Sequence, residues 1–160
     1  WFINAGDEIA EENTVAKLLL MLKDNPDVVY SDTYMVDNDR RVLGLRSEIL
    51  PHKVPEVLTW QKFNQGMLIC HQSFVSKRAL APDYIHNNLS ADIDWEIKCL
   101  KASNTVVQYP GILSRYLVGG VSSQKHTQSL KDRYRVLKDH FGFFPNLFNH
   151  VRIVFRAILK

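Results

Sequence analysis

The sequence predicts an α/β fold whose sheet is mixed rather than purely parallel. Strand-like and helix-like segments alternate along the chain, which favours strands joined by crossover helices. One tight hairpin interrupts this alternation, because apolar residues flank the turn sequence Asp37-Asn38-Asp39. A hairpin pairs its strands antiparallel, so the sheet is expected to combine both pairing directions.

Helices are predicted where apolar residues recur every three or four positions. They are 11–24, 92–102, a helix that Ser129 caps and Gly142 ends, and a final helix from about Pro145. Strands are predicted at 27–31, 34–36, 41–43, 67–70, 73–75, 105–109 and 112–118. Residues 1–3 are interpreted as the end of a buried strand, and 55–63 as a short helix.

The composition indicates a globular domain and gives no sign of a membrane-spanning or disulfide-rich protein. The chain has 160 residues, of which 46% are hydrophobic and 23% charged, a balance typical of about one globular domain. No apolar run approaches the ~18 residues that span a bilayer. The two cysteines, Cys70 and Cys99, give neither a disulfide framework nor a zinc spacing, which favours a reducing compartment. Because the chain opens on Trp1 inside an apolar segment, without a signal-peptide pattern, it is interpreted as a fragment.

Charge is distributed unevenly along the chain. From Lys125 onward there are eight Lys and Arg against two Asp, a net +6, while the preceding residues carry 12 basic and 15 acidic side chains, a net −3. A basic tail on an acidic body favours an anionic partner or surface for the tail. No nucleic-acid-binding motif accompanies this charge, so nucleic acid is not expected as a partner.

Asp7 is a candidate metal ligand because it follows an apolar segment and the turn Asn4-Ala5-Gly6. A carboxylate at the end of a buried strand lies where open α/β sheets bind ligands. It can hold a hard divalent cation that also bridges a diphosphate. The alternative, that Asp7 only caps the following helix, stays open at this point.

Three acidic residues, Asp92, Asp94 and Glu96, open the helix predicted at 92–102. Asp92 and Glu96 are four apart and share a helix face, whereas Asp94 points elsewhere. A carboxylate here that lies in a pocket with a raised pKa could take a proton from a sugar hydroxyl. On spacing alone, acids at a helix start more often simply complement the helix dipole.

Two further segments are ambiguous when taken alone. His71 and Gln72 are polar residues within an apolar run, where a lone histidine is more often a hydrogen-bonded structural residue than a catalyst. The segment Gly119-Gly120-Val121-Ser122 lacks the length and the lysine of a phosphate-binding loop. By itself it predicts a flexible loop.

Taken in order, these segments resemble family-two glycosyltransferases, in particular a bacterial polysaccharide branch similar to the colanic acid glycosyltransferases. That branch has an Asn-Ser-Gly-Asp motif after an apolar strand, a Tyr-x-Asp strand, a Cys-His-Gln-Ser segment, an Ala-Asp or Glu-Asp helix start and a Gly-Gly-x-Ser loop. The matching segments here are 4–7, 30–32, 70–73, 91–92 and 119–122, and the resemblance spans residues 1–142.

The resemblance implies a GT-A fold, the nucleotide-diphospho-sugar transferase fold, of which this chain would be the C-terminal part. Residues 1–128 would form the catalytic and acceptor part, and 129–160 an appended basic helical tail. The implied activity is transfer of a sugar, with inversion, from a nucleotide-diphosphate donor to a glycan or lipid-linked saccharide acceptor. Without the N-terminal half that binds the nucleotide, the fragment alone is expected to be inactive.

The resemblance also implies a role for each candidate residue. Asp7 would hold Mn²⁺ or Mg²⁺ against the donor diphosphate, as the one charged ligand, since Asn4 and Gly6 replace two acids of the usual motif. Asp92 would be the general base, and Asp94 is the second choice for that role. The remaining residues would bind donor or acceptor: Asn4, His71, Gln72, Gly119, Gly120 and Ser122.

A rival function is a non-catalytic glycan-binding or scaffold module that has kept the fold. The presence of both Asp7 and Asp92 favours the enzyme. A family member acting on lipid-linked acceptors is expected in the cytoplasm, peripheral at the inner face of the plasma membrane.

The end of the chain, from Pro145 to Lys160, predicts an amphipathic helix. Its apolar stripe is Leu147, Val151, Val154, Phe155 and Ile158, and its basic stripe is Arg152, Arg156 and Lys160. The apolar stripe either packs back onto the catalytic body or lies on an anionic membrane surface. The aromatic residues within 141–148 favour contact with the membrane.

Overall fold

The computed structural model describes residues 1–119 and 125–158, with the backbone alone at His126 and 152–158. Within these ranges the fold is α/β with one mixed five-stranded sheet, as predicted. The strands are β1 (Glu8–Ile9), β2 (Val28–Val36), β3 (Val42–Leu45), β4 (Phe74–Ser76) and β5 (Val106–Leu117). The helices are α1 (Thr14–Met21), α2 (Arg46–Ile49), α3 (Ala91–Ala102), α4 (His126–Phe141) and α5 (Phe143–Ile158).

The sheet is built around β2. One edge of β2 pairs in parallel with β5 over almost its whole length. Its other edge is shared by two antiparallel neighbours, β4 along the first half and β3 along the second. The predicted hairpin joins β2 to β3, and the Asp37 carboxylate closes its turn by accepting the backbone N–H groups of Asp39 and Arg41, both at 2.9 Å.

Alternate residues of β2 bury against opposite layers, as the pleat of a strand requires. Val28 and Tyr30 contribute to the larger core, which α3 and α4 cover, while Val29 joins a smaller core beneath α1. The largest fully buried side chains of the main core are Trp95, Tyr30, Phe63, Phe74, Ile69, Ile97 and Leu137. The sheet is therefore sandwiched between helices on both faces.

Three local predictions are wrong. Residues 1–3 form no strand, because the Trp1 indole donates to the Gln72 carbonyl at 2.7 Å and the side chains pack on the segment at 71–74 instead of extending a ladder. The segment 67–70 is not a strand either, and a 3-10 helix at His71–Ser73 follows it. Residues 55–59 are not helical, since the Tyr30 hydroxyl contacts the carbonyls of 55 and 56, and a 3-10 helix begins only at Trp60.

Several predicted boundaries also shift. The strands expected at 27–31 and 34–36 are one continuous strand, β2, and those expected at 105–109 and 112–118 are one continuous strand, β5. Ser129 lies inside α4 rather than at its cap, while Gly142 ends that helix as predicted, with a left-handed φ of +85°. None of the described helices is both long and apolar enough to cross a bilayer.

The helix α4 is packed into the body of the protein. Val136 and Leu137 belong to the main core, and the His140 ring is hydrogen-bonded to Asp94 of α3. The expected division between a catalytic part and a tail at 128/129 falls within this helix. The segment that extends beyond the core is α5.

Truncation of Leu137 tests this packing. Leu137→Ala should lower the free energy of unfolding by about 2–5 kcal/mol, because a fully buried leucine leaves a cavity in the main core. Leu147→Ala, at an exposed position of α5, is the matched control and should change it by less than about 0.5 kcal/mol. Urea unfolding measures both, and equal effects would show that α4 does not help to form the core.

Candidate active site

Asp7 lies against the carboxyl end of β5. Its own backbone N–H donates to the Asn4 carbonyl at 3.0 Å, which closes the turn before β1. The backbone N–H of Leu117 donates to Asp7 Oδ1 at 2.9 Å, and Gln72 Nε2 donates to Oδ2. Partial burial raises the pKa of the Asp7 carboxyl, and these two hydrogen bonds oppose that shift. The structure thus brings together two of the predicted site residues, Asp7 and Gln72.

The Asp7 carboxylate is the group of this region that could bind a hard cation. Magnesium typically binds through one or two carboxylates together with substrate phosphate oxygens. Both Asp7 oxygens already accept hydrogen bonds, from the Leu117 N–H and from Gln72 Nε2, so a cation would have to displace a donor. Among residues 1–119 and 125–158, no three His, Cys, Asp or Glu side chains gather in a metal-binding arrangement.

His71 is held in an aromatic cluster. Its ring stacks on Phe2, with centroids 5.6 Å apart, and meets the edge of Trp95. The Tyr84 hydroxyl lies 2.7 Å from His71 Nδ1. Burial lowers the pKa of His71 to about 4, so the ring is neutral at neutral pH. These contacts give His71 a structural role, and its contact with a donor sugar stays a prediction.

Asp92 occupies the first turn of α3. Its Oδ1 accepts the backbone N–H of Ile93 at 2.9 Å. Burial raises the pKa of the carboxyl to about 6. A carboxylate with such a pKa is mostly ionised at neutral pH and still has a useful affinity for a proton, which is the requirement for a general base.

Glu96 lies one turn further along α3, on the face that the spacing assigned to it and Asp92. The side chain is 0% exposed, and neither carboxyl oxygen has a hydrogen-bond partner among the described residues. Burial raises the pKa of Glu96 well above its usual range, the negative charge of Asp92 raises it further, and the nearby Arg46 guanidinium opposes the shift. Burial and the neighbouring Asp92 charge therefore both favour the protonated, uncharged form of Glu96.

Tyr116 connects the two halves of the candidate site. It lies near the end of β5, one residue before the Leu117 amide that binds Asp7. Burial raises the pKa of the Tyr116 hydroxyl, and the negative charges of Asp7 and Asp92 both add to the shift. Both carboxylates thus lie within electrostatic range of one tyrosine, although they come from distant parts of the sequence.

Asp94 faces away from this region, as its spacing predicted. His140 Nε2 lies 2.8 Å from Asp94 Oδ1, and the Lys98 ammonium lies 2.7 Å from Oδ2. Burial lowers the pKa of His140, so its neutral ring donates to Asp94 and accepts from Lys101, whose Nζ is 3.1 Å from Nδ1. These contacts attach α4 to α3, and they favour Asp92 over Asp94 as the reactive carboxylate.

The remaining predicted residues lie close to the same edge or outside the described chain. The Asn4 side chain is exposed at the turn before Asp7. Gly119 follows β5 with a φ of +95°, a left-handed conformation that favours glycine although a Cβ would find open space. Gly120 and Ser122 lie outside the described residues.

Sequence reasoning missed Arg46 and Tyr116. Arg46 is buried at the start of α2 and donates to the carbonyls of Leu68 and Met67 at 2.6 and 2.7 Å, just before the segment 70–73. Nothing in its spacing points to that position. Tyr116 was open to inference, because the carboxyl end of a strand parallel to its neighbour is where open α/β sheets bind ligands.

The arrangement combines a partly buried carboxylate with an amide partner, a second carboxyl with a pKa near neutrality, and a tyrosine whose pKa the charges of both carboxylates raise. No protein-family model matches the chain, and no curated protein matches its sequence. Such a site can hold a cation beside an anionic group and accept a proton from a hydroxyl nearby.

Neutralising Asp92 should stabilise the protein. The folded pKa of about 6 lies above the ordinary value of 3.8, so ionisation opposes folding, and stability falls as the pH rises through that interval. Asp92→Asn should therefore raise the free energy of unfolding by roughly 1–3 kcal/mol near neutral pH, with the gain disappearing below about pH 4. Urea unfolding at the two pH values measures the change.

Asp94→Asn is the matched control, two residues away on the same helix. It removes the carboxylate that pairs with His140 and Lys98, so it should lower the free energy of unfolding by roughly 1–3 kcal/mol near neutral pH. If both variants lowered the free energy of unfolding equally, the distinction between Asp92, whose charge is disfavoured by burial, and Asp94, whose charge is paired, would be wrong.

Proposed function

We propose that this chain is the catalytic and acceptor-side part of a family-two glycosyltransferase with the GT-A fold. The reaction would transfer a sugar from a nucleotide-diphosphate donor to a glycan or lipid-linked saccharide acceptor, with inversion. The observation that carries the proposal is that one short segment joins the two candidates: Gln72 donates to the Asp7 carboxylate, and the ring of His71 meets Trp95 of α3, the helix that carries Asp92. Sugar transfer needs one group that stabilises the leaving diphosphate and another that accepts the proton of the attacking hydroxyl, both close to the same reacting carbon.

Asp92 is the group suited to the acceptor. As the acceptor oxygen attacks the anomeric carbon, its proton passes to the Asp92 carboxylate, and the bond from that carbon to the diphosphate oxygen breaks with the electron pair leaving on the diphosphate. Because burial and the Asp92 charge favour the protonated form of Glu96, Asp92 is the carboxylate of the pair suited to act as the base. The ordinary pKa of an aspartate would make it a weaker base.

Asp7 is the group suited to the donor side. A bound Mn²⁺ or Mg²⁺ would neutralise charge on the leaving diphosphate. Asp7 would hold that cation, and the Leu117 N–H and the Gln72 amide fix the direction of its carboxylate. The neutral His71 ring lies immediately before Gln72, so the two residues suit the wall beneath a donor sugar. Asn4, at the turn before Asp7, and the segment from Gly119, which follows β5, would border the substrates.

A glycan-binding or scaffold module remains the rival. Binding alone gives no reason for a half-buried carboxyl whose pKa is raised towards neutrality, since desolvation of that group opposes folding when it is ionised. The raised pKa of Asp92 thus favours the enzyme over the module.

The base is tested by turnover in a polypeptide that joins this chain to the nucleotide-binding half that the proposal requires. Asp92→Asn should cut turnover by roughly two or more orders of magnitude while donor binding, followed by calorimetry, survives. Asp94→Asn is the control for a carboxylate lost from the same helix. Normal turnover in Asp92→Asn with loss in Asp94→Asn would transfer the role to Asp94, and sugar binding without any transfer would favour the rival module.

The cation is tested separately. Excess EDTA should abolish turnover, and Asp7→Asn should weaken Mn²⁺ binding in the presence of the nucleotide diphosphate, measured by electron paramagnetic resonance. Asp37→Asn, at the turn of the β2–β3 hairpin, is the control and should leave Mn²⁺ binding unchanged. Full activity in EDTA would contradict a metal-assisted reaction.

A further inference from the structure

The helix α5 packs on the protein through polar side chains. Asn146 is fully buried, and its Nδ2 donates to the Tyr134 carbonyl of α4 at 3.0 Å. One turn later the His150 ring meets the Tyr134 ring edge-on, with centroids 4.9 Å apart. An amphipathic helix on a globular body ordinarily buries its apolar side. In α5 the polar side makes these contacts.

The opposite side of α5 is apolar and exposed. We call the set Phe144, Leu147, Phe148 and Val151 the outer face. Phe144 is 73% exposed and Phe148 is 77% exposed, while Leu147 and Val151 are also exposed. Spacings of three and four residues place these side chains together on one stripe of the helix. Of the two alternatives for the apolar stripe, packing onto the body is therefore wrong for Leu147 and Val151.

The exposure of several residues of the predicted apolar and basic stripes is not described. The side chains of Val154, Phe155, Ile158, Arg152 and Arg156 fall in the range for which only the backbone is described, and Lys160 is outside the described residues. The backbone remains helical through Ile158. The outer face is therefore argued from the first half of α5.

The charges that follow the outer face along the sequence are positive. The sequence has no acidic residue after Asp139, and Arg152, Arg156 and Lys160 follow the outer face. On the neighbouring helix, Lys131, Arg135 and Lys138 are exposed at spacings of four and three, which puts them on one stripe of α4.

This combination selects the kind of partner. An exposed apolar stripe rich in phenylalanine and accompanied by cations is complementary to the anionic headgroups and acyl boundary of a lipid bilayer. A second copy of the chain would bring another cationic helix against the first, and like charges would oppose that contact.

We infer that the outer face of α5 is a docking surface for an anionic membrane, on which the helix lies in the plane of the interface. Phe144 and Phe148 would enter the boundary between headgroups and acyl chains, and the basic residues would remain among the headgroups. This inference is independent of the proposed transferase activity, because it depends only on the exposure and charge of the last two helices.

Vesicle co-sedimentation of the protein tests it. Binding to phosphatidylcholine vesicles that contain phosphatidylglycerol should exceed binding to pure phosphatidylcholine vesicles and should fall as salt is raised. The double variant Phe144→Ser/Phe148→Ser should weaken binding to the anionic vesicles by at least about tenfold, because two aromatic side chains no longer enter the bilayer. Since both positions are exposed, the unfolding transition should stay unchanged.

The matched control is Leu19→Ser/Leu20→Ser, which removes two exposed apolar side chains from α1. It should bind anionic vesicles as the parent protein does. Absent binding, equal binding to both vesicle types, or equal loss in the two double variants would overturn the inference. Light scattering completes the test: a concentration-dependent dimer that Phe144→Ser/Phe148→Ser abolishes, without vesicle binding, would assign the outer face to a second copy instead.

Discussion

The parallel pairing of β2 with β5 positions most of the other elements. Pro110 interrupts this pairing because it has no backbone N–H to donate to the neighbouring strand. The pairing continues beyond it because the register shifts there and the Ser31 hydroxyl accepts the Leu113 N–H at 3.0 Å. Beyond the shift, the buried Ser73 hydroxyl lies 2.7 Å from the hydroxyl of Thr33 and 2.7 Å from that of Ser114. These contacts tie the segment 71–73 to both strands.

The candidate site depends on that connection. The carboxyl end of β5 provides Tyr116 and the Leu117 amide that binds Asp7, and the hydroxyl contacts of Ser73 place Gln72 opposite the same carboxylate. The helix α3 presents Asp92 and keeps Glu96 buried, without a hydrogen-bond partner in the part of the chain that the structure describes. Desolvated ionisable groups such as Asp92 and Glu96 lower the free energy of unfolding, and the same desolvation raises the pKa of Asp92 towards neutral pH.

The sequence was informative wherever a local pattern decided the outcome. The hairpin at Asp37, the helix α3 and the shared face of Asp92 and Glu96 follow from turn chemistry and helical spacing, and the structure has all three. The segments at 1–3 and 67–70 were mispredicted because a short apolar run is compatible with a strand and equally with an irregular segment whose side chains are buried in the core. The Trp1 indole and the Arg46 guanidinium hold these segments from far away in the sequence. The division of β5 was also mispredicted, because Pro110 suggests a break in the strand. The Ser31 hydroxyl of the neighbouring strand β2 bridges that break, and local sequence does not reveal this contact.

The contact between Gln72 and Asp7 has a consequence for selectivity. The Cys70 thiol donates to Gln72 Oε1 at 2.8 Å, which directs the amide nitrogen towards the Asp7 carboxylate. Asp7 Oδ2 therefore already has an internal hydrogen-bond donor, and a free cation must compete with it for that oxygen. A cation that arrives with a diphosphate brings additional ligands and can win the competition, whereas a solitary ion has less to gain. In the proposed reaction, Asp7 would therefore take up its cation together with the diphosphate rather than alone.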